Sequence, residues 1–224
     1  MVEAISQDNG MINIEEYLAH ERKPDVLYEL FGGKLMEMPG ENSLHRRIVE
    51  FFKVQLTNYL IREKLPLVAV TGMEVRTEDD TSRTPDVVVC TEDFAKIAYE
   101  RGGPAILDLD QIPLLVIEVT GDNGLTDYTH KLLEYSWIKI PEYWIVDPNK
   151  LRIRLCRTNQ EEPDDLYQYQ DFQLGDRVQS VQFVGFELAV SEILSPSSEY
   201  DIVQEESRET EDLKAEVIET REEA

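Results

Sequence analysis

Two apolar segments separated by a helix-like stretch constrain the fold of this chain more than any other feature. Residues 114–119 form an apolar run broken only by Glu118, and residues 142–146 form a second apolar run. Continuous runs of this kind are typical of strands that are buried on both faces of a sheet. Residues 125–139 have the pattern of a helix, and a strand, a helix and a strand with short links favour a right-handed parallel crossover. The sequence therefore predicts an α/β core with residues 114–119 as a central strand.

A pair of glycines predicts a β-hairpin near the N-terminus. Gly32-Gly33 lies between two alternating segments, residues 26–31 and 34–38, and a two-residue glycine turn is a strong hairpin signal. The predicted cross-strand pairs are Phe31 with Lys34 and Glu29 with Met36. This pairing surrounds Glu29 with apolar side chains, which raise the pKa of a carboxylate unless a cation or a donor is near. An ordinary edge-strand glutamate is the alternative.

The remaining segments complete a mixed pattern of helices and strands. The predicted helices are Ile14–Ala19 and residues 43–60, with Ser43 as the cap of the second. Residues 67–75 and 86–90 predict an antiparallel pair of strands joined by a polar turn at 78–83. Residues 91–112 predict a loop with a short helix. An antiparallel extension of the sheet is predicted from the segments 151–156, 167–172, 177–181 and 186–190.

The charge balance restricts the kinds of partner that the chain can bind loosely. The 224 residues include 22 basic and 46 acidic side chains, a formal net charge of −24 that opposes association with a polyanion. Residues 199–224 hold 11 acidic and three basic side chains, a net −8, with few apolar ones. We therefore expect one domain over residues 1–198 and an acidic, frayed or partner-dependent tail over 199–224.

The location of the protein is predicted from what the sequence lacks. No stretch approaches the roughly 20 apolar residues of a membrane helix, and the N-terminus has no signal-peptide pattern. Cys90 and Cys156 lie in strand-like segments without a metal-ligand or redox spacing, so reduced thiols are expected. These observations predict a cytoplasmic protein without a membrane partner.

Two carboxylates lie where an apolar strand would hold a charge only at a cost. Asp86 follows Thr84-Pro85 at the start of one predicted strand, and Glu118 interrupts another. A shared divalent cation would remove that cost. Two carboxylates with waters suit Mg²⁺ or Mn²⁺, and the main-chain carbonyl of Val119 is a further candidate ligand. Lys131, on the following helix, could hold the attacking water or stabilise charge on a phosphate.

Each of these residues also has a structural alternative. Asp86 can simply begin a strand, and Glu118 can belong to a buried ion pair. Lys131 can form an ordinary helix-surface pair with Asp127, four residues earlier. His45, near a helix N-terminus, can cap or pack, or it can contact a phosphate or the water.

The ordered set of motifs resembles the Uma family of restriction endonucleases, within the PD-(D/E)XK nuclease-like superfamily. The matching segments are Tyr28-Glu29-Leu30-Phe31-Gly32-Gly33-Lys34-Leu35, His45, Thr84-Pro85-Asp86-Val87-Val88-Val89, Leu115-Val116-Ile117-Glu118-Val119, Asp127 with Lys131 and Tyr135, and Glu142-Tyr143-Trp144-Ile145-Val146-Asp147-Pro148. The likeness covers roughly residues 14–195. It implies a restriction-endonuclease-like fold, a mixed central sheet flanked by helices, with Asp86, Glu118 and Lys131 as catalytic positions flanked by Glu29 and His45.

Two departures from the family pattern accompany this resemblance. Thr120 stands where the superfamily's Glu-X-Lys motif has its lysine, so activity requires Lys131 to supply that function. The segment Thr120-Gly121-Asp122-Asn123-Gly124 also differs from the loop of family members.

The resemblance predicts a metal-dependent endonuclease acting on DNA, and analogy of fold predicts a homodimer. An inactive nuclease-like scaffold that binds proteins through its acidic surface and tail is the alternative.

Overall fold

The computed structural model describes residues 10–23, 26–38, 40–121, 126–159 and 166–196. The strands are β1 (Tyr28–Phe31), β2 (Lys34–Glu37), β3 (Leu67–Val70), β4 (Glu74–Glu78), β5 (Thr81–Arg83), β6 (Val87–Thr91), β7 (Ile106–Leu107), β8 (Leu115–Val119), β9 (Glu142–Asp147), β10 (Arg152–Arg157), β11 (Gln168–Gln173), β12 (Arg177–Gln179) and β13 (Glu187–Ala189). The helices are α1 (Ile14–Ala19), α2 (Ser43–Arg62), α3 (Glu92–Glu100), α4 (Leu132–Trp137) and α5 (Val190–Leu194), and a π-helical turn, Asp127–Lys131, precedes α4. The predicted acidic tail, 199–224, lies outside the described residues.

A six-stranded mixed sheet in the order β11-β10-β9-β8-β6-β3 forms the centre of the protein. Strands β8 and β9 are parallel, and the other neighbouring pairs are antiparallel. The predicted crossover and the central position of residues 114–119 are therefore confirmed. So is the mixed α/β fold class, since the sheet is flanked by helices.

The central strands are mostly apolar because both faces of the sheet are covered. Alternate side chains of β8 enter two different cores, Ile117 beneath α2 and Val116 beneath α3 and α4. The first core also contains Phe52 of α2 and Trp144 of β9, whose rings pack edge to face. Alternation between two buried faces explains why the sequence of β8 shows no polar period.

A second, five-stranded sheet has the order β2-β1-β5-β4-β7 and contains the hairpin. Its register pairs Phe31 with Lys34 and Glu29 with Met36, as predicted. Two other predictions for this region are wrong. The polar segment 78–83 is not all turn, since it contains β5, and residues 67–75 divide at Gly72 into β3 and β4, which belong to different sheets. Gly72 has a φ of 68°, a backbone conformation that glycine adopts readily.

The C-terminal strands and the cap of α2 differ from the prediction in detail. Strands β10 and β11 extend the central sheet as expected, but β12 and β13 form a separate two-stranded sheet. The cap of α2 is Asn42, whose side chain accepts from the amide of His45, and Ser43 is the first helical residue. Cys90 and Cys156 are buried and free, in agreement with the expectation of reduced thiols. In the described part of the chain, none of the helices has both the length and the apolar character needed to cross a membrane.

Candidate active site

Asp86 lies at the point where β6 begins beside the end of β8. Val87 is opposite Ile117 in this antiparallel pair, so Asp86 and Glu118 follow at adjoining positions on the two strands. The Oδ1 atom of Asp86 is 2.8 Å from Nε2 of His45, and its Oδ2 atom accepts a 2.6 Å hydrogen bond from the amide of Val119. The sheet therefore brings together three of the predicted residues, Asp86, His45 and Val119.

Lys131 is the central cation of a buried cluster next to Asp86. Its Nζ atom lies 2.9 Å from Oε1 of Glu118, 3.3 Å from Oε1 of Glu29 and 3.5 Å from Oδ1 of Asp127. Its side chain is only 4% exposed, so the alternative of a helix-surface pair with Asp127 is wrong. Glu118 forms a buried ion pair with Lys131, which is the structural alternative given above for this residue. It also accepts a 2.9 Å hydrogen bond from the hydroxyl of Tyr135.

Glu29 enters the cluster from the hairpin, and its surroundings differ from the prediction. Its carboxylate contacts Nη1 of Arg83 at 2.9 Å and the amide of Thr84 at 3.1 Å, in addition to Lys131. Burial raises the pKa of Glu29, but the charges of Lys131 and Arg83 outweigh burial and lower the pKa below its ordinary value. The expected apolar setting is wrong, because β5 brings Arg83 beside the hairpin.

Arg83 joins the hairpin to the helix that follows β8. Its Nε and Nη2 atoms donate to the carboxylate of Glu134 at 2.7 and 2.5 Å, while Nη1 donates to Glu29. The three charged groups are buried, and Thr77 donates a further bond to Glu134. Sequence reasoning missed Glu134, and it gave Arg83 no place in the site because Arg83 lies in a segment that resembles a polar turn.

The π-helical turn places Asp127 and Lys131 on the same buried side of the helix. Hydrogen bonds in a π-helix join residues i and i+5, and such turns are frequent at functional sites. Both residues are buried, and the main-chain carbonyl of Asp127 accepts a 3.1 Å bond from the hydroxyl of Tyr143 on β9. The predicted loop departure at Asp122-Asn123-Gly124, just before this turn, lies outside the described residues.

The buried cluster and Asp86 together contain more negative than positive charge. The carboxylates are Glu29, Asp86, Glu118, Asp127 and Glu134, and the cations are Lys131 and Arg83. Burial is the main cause that raises the pKa of Glu118. The charge of Lys131 lowers this pKa, and the neighbouring carboxylates raise it. Burial likewise raises the pKa of Asp127. Burial alone would lower the pKa of Lys131, but three carboxylates raise it, so Lys131 is a charged ammonium.

Glu41, His45 and Asp86 form a group on the solvent side of this cluster. One ligand atom from each lies within 4.8 Å of the others, and all three are only partly buried. Burial lowers the pKa of His45, but the hydrogen bond and charge of Asp86, with Glu41 and Asp127, raise it above its ordinary value. Sequence reasoning missed Glu41, although a glutamate four residues before a helical histidine could have indicated it.

The residues present fit a divalent cation. Oxygen ligands from carboxylates suit hard ions, and an imidazole is also compatible with Mn²⁺. Burial is the main cause that raises the pKa of Glu118 and Asp127, and neighbouring carboxylates raise it further. A cation would offset the charge of these carboxylates. The structure shows that the amide of Val119 donates a hydrogen bond to Asp86. The role of the Val119 carbonyl as a metal ligand stays a prediction.

Comparison with known proteins places the chain in a family. A solved structure described as "a putative nuclease belonging to DUF820 from Anabaena variabilis" superposes with a TM-score of 0.65 at 19% identity, over 82% of this chain and 97% of that chain. This likeness shows a shared fold. A search of curated proteins found no match. The model of the Uma2 family, described as "Putative restriction endonuclease", matches residues 14–191, which include every site residue discussed above. The chain therefore belongs to the Uma2 family.

Proposed function

We propose that the protein is a divalent-metal-dependent endonuclease that hydrolyses phosphodiester bonds in DNA. The observation that carries this proposal is the convergence of Asp86, Glu118 and Lys131, from two strands and a π-helical turn, on one acidic cluster. The description of the Uma2 family and that of the structural neighbour support the same class of activity. Mg²⁺ or Mn²⁺ is the proposed ion.

Asp86 and Glu118 are the proposed metal ligands, with the carbonyl of Val119 as a further one. Glu41 extends the donor set toward solvent. When bound, the ion would polarise the phosphodiester and offset charge on the leaving oxygen. The amide of Val119 holds one oxygen of Asp86 in place, so the carboxylate is oriented before any ligand arrives.

Lys131 acts in this proposal as a fixed positive charge. Its raised pKa keeps the ammonium protonated, so it stabilises negative charge on the phosphate or holds the attacking water as a donor. Glu29, held by Arg83 and Thr84, positions the ammonium. His45, whose pKa is raised by the hydrogen bond and charge of Asp86 against the effect of burial, is the proposed donor to a phosphate or to the water.

Two measurements on the full chain test the proposal. Plasmid nicking and oligonucleotide cleavage with Mg²⁺ or Mn²⁺ should be lost with chelator and in Asp86→Asn, and retained in the control Asp108→Asn, whose carboxylate binds Arg101 on the surface. Mn²⁺ should also raise the melting temperature, and Glu118→Gln should abolish that rise. Sedimentation of the same protein tests the proposed homodimer.

The absence of both cleavage and a thermal shift would contradict the enzyme. That result would favour a scaffold that binds proteins, which the net charge of −24 supports. The scaffold predicts that Asp86→Asn leaves partner binding unchanged.

A further inference from the structure

A cluster of cations and tyrosines is formed by β10, β11, the turn before β10 and the π-helical turn. The ring of Tyr128 is 4.8 Å from Nζ of Lys150, 5.1 Å from Cζ of Arg152 and 5.2 Å from Cζ of Arg154. The guanidinium of Arg154 also lies over the ring of Tyr169, 3.9 Å from its centroid. Cationic groups at these distances are attracted by the faces of aromatic rings. We call these five residues the arginine–tyrosine cluster.

The charge of the arginine–tyrosine cluster is opposite in sign to that of the chain. Its three cations are accompanied by two carboxylates, because Asp171 binds both arginines and Asp147 binds Lys150. A net positive charge therefore remains at this place, in a chain whose net charge is −24. The buried Nε atom of Arg152 has no hydrogen-bond partner.

The register of the central sheet aligns the arginine–tyrosine cluster with the candidate active site. Glu118 on β8 is opposite Ile145 on β9, Ile145 is opposite Arg154 on β10, and Arg154 is opposite Asp171 on β11. Directly opposed residues point to the same face of a sheet. Because neighbouring strands are about 4.8 Å apart, the backbones at Glu118 and Arg154 are separated by about 10 Å on that face. The arginine–tyrosine cluster therefore lies within two strand spacings of the candidate active site.

The exposed tyrosine indicates the form of nucleic acid that fits. Tyr169 is 60% exposed although Arg154 covers part of its ring. An exposed aromatic ring beside cations is the arrangement that stacks an unpaired base while the cations contact phosphates. A duplex keeps its bases stacked on one another and has no free base for Tyr169. These features favour a single-stranded segment.

We propose that the arginine–tyrosine cluster binds a single-stranded segment of the DNA substrate, with phosphates at Lys150, Arg152 and Arg154 and a base on Tyr169. This inference rests on the proposed endonuclease function for the identity of the substrate. It also gives an acidic protein a local means of holding a polyanion.

The test measures fluorescence anisotropy of a labelled single-stranded DNA oligonucleotide with the full chain in chelator, where the proposed metal-dependent cleavage is prevented. Arg152→Gln and Arg154→Gln should each weaken binding and lower the slope of log affinity against log salt by about one. Tyr169→Ala should weaken binding at least about fivefold, the effect of losing one stacked base, while Tyr169→Phe retains it. Arg62→Gln is the matched control, because Arg62 also lies over a tyrosine, Tyr59, and binds a neighbouring glutamate, Glu63.

Equal binding by the wild type and the two arginine variants would overturn the inference, as would a preference for blunt duplex over single strand. Melting curves identify any variant that fails to fold, and Arg154→Lys, which retains the charge, then replaces Arg154→Gln with a smaller expected loss. Cleavage by the wild type with unchanged binding in the variants would reject the cluster and leave the endonuclease intact. Arginine-dependent binding without cleavage would support the cluster and reject the endonuclease.

Discussion

Lys131 shows at the residue scale how closely stability and the proposed chemistry are connected. Its ammonium is the cation shared by Glu29, Glu118 and Asp127. Removal of one partner from a buried ion pair is strongly destabilising because it leaves the other charge uncompensated. The same three contacts that would hold the ammonium at a phosphate therefore also hold the hairpin, β8 and the π-helical turn together.

Lys131→Met should lower the free energy of unfolding by about 3–5 kcal/mol, because three buried carboxylates lose their cation. Urea unfolding at neutral pH measures the change. Lys96→Met is a suitable control, since Lys96 pairs with Glu100 on an exposed helix surface. A loss as small as that of the control would show that the cluster does not depend on Lys131.

Glu118→Gln should reduce the decline of stability with rising pH when no metal is present. The pKa of Glu118 is raised in the folded protein, so above its unfolded value of about 4.3 the folded state retains a proton that the unfolded state releases. Stability then falls as pH rises toward the folded pKa. The glutamine holds no such proton, and urea unfolding from pH 5 to pH 8 with chelator should give a flatter profile. Parallel profiles would contradict the raised pKa.

Glu29→Gln provides a contrast of opposite sign. The pKa of Glu29 is lowered in the folded protein, mainly through Lys131 and Arg83 against the effect of burial. Its contribution to stability is therefore present above about pH 4.3 and is lost as pH falls through the folded pKa. Urea unfolding extended from pH 7 to pH 3 should show Glu29→Gln less stable than the wild type at neutral pH, with a difference that shrinks below about pH 4.3.

At the scale of elements, α2 connects the hydrophobic core with the candidate site. Its apolar face packs on the central sheet through residues such as Phe52, and its first turn brings His45 to Asp86. The side chain of Asn42 satisfies the amide of His45 at the helix start. The cap therefore stabilises the turn that positions the imidazole.

Asn42→Ala should lower the free energy of unfolding by about 1 kcal/mol, because the amide of His45 loses its acceptor. Asn42→Asp retains an oxygen at this position and should cost much less. Ser43→Ala, at the residue that the sequence suggested as the cap, should have little effect. Thermal or urea unfolding of the three variants distinguishes the two caps, and a larger loss in Ser43→Ala would contradict the assignment of Asn42.

Several elements follow directly from local sequence patterns, while β5 does not. The Gly32-Gly33 turn determines the hairpin register, since side chains alternate with a period of two along each strand. The segment Thr81–Arg83 has the composition of a turn, yet it is a buried strand. Its polar groups are satisfied by partners on other elements, among them Glu74 of β4 for Ser82 and Glu134 of α4 for Arg83. Local composition carries no record of such partners.

For the whole molecule, net charge is the property that most affects binding to nucleic acid. The formal charge of −24 falls to −16 when the net −8 of residues 199–224 is left out. Repulsion between an acidic protein and a polyanion is long-ranged, and salt screens it beyond about 8 Å at physiological ionic strength. We therefore expect the tail to oppose binding of the proposed DNA substrate most strongly at low salt.

Deletion of residues 199–224 should strengthen oligonucleotide binding at low salt and change it little at high salt. The melting temperature should remain close to that of the full chain, because the predicted domain ends at residue 198. Anisotropy at two salt concentrations and a thermal melt measure both effects. A truncated chain that unfolds would show instead that the tail belongs to the domain.

The sequence by itself determined the strands of the crossover and the hairpin register. It also indicated part of the site, Glu29, His45, Asp86, Glu118 and Lys131, but not Glu41 or Glu134. These features are local, since burial and turn geometry impose short periods on the chain. Only the tertiary structure decided which charges meet: Lys131 contacts Glu29, and Arg83 joins Glu29 to Glu134. Those partners lie on different elements, and sequence spacing does not encode their distance in space. Burial of a charged group is costly unless it has a partner, so the fold, and not the local pattern, determined the electrostatics of the site.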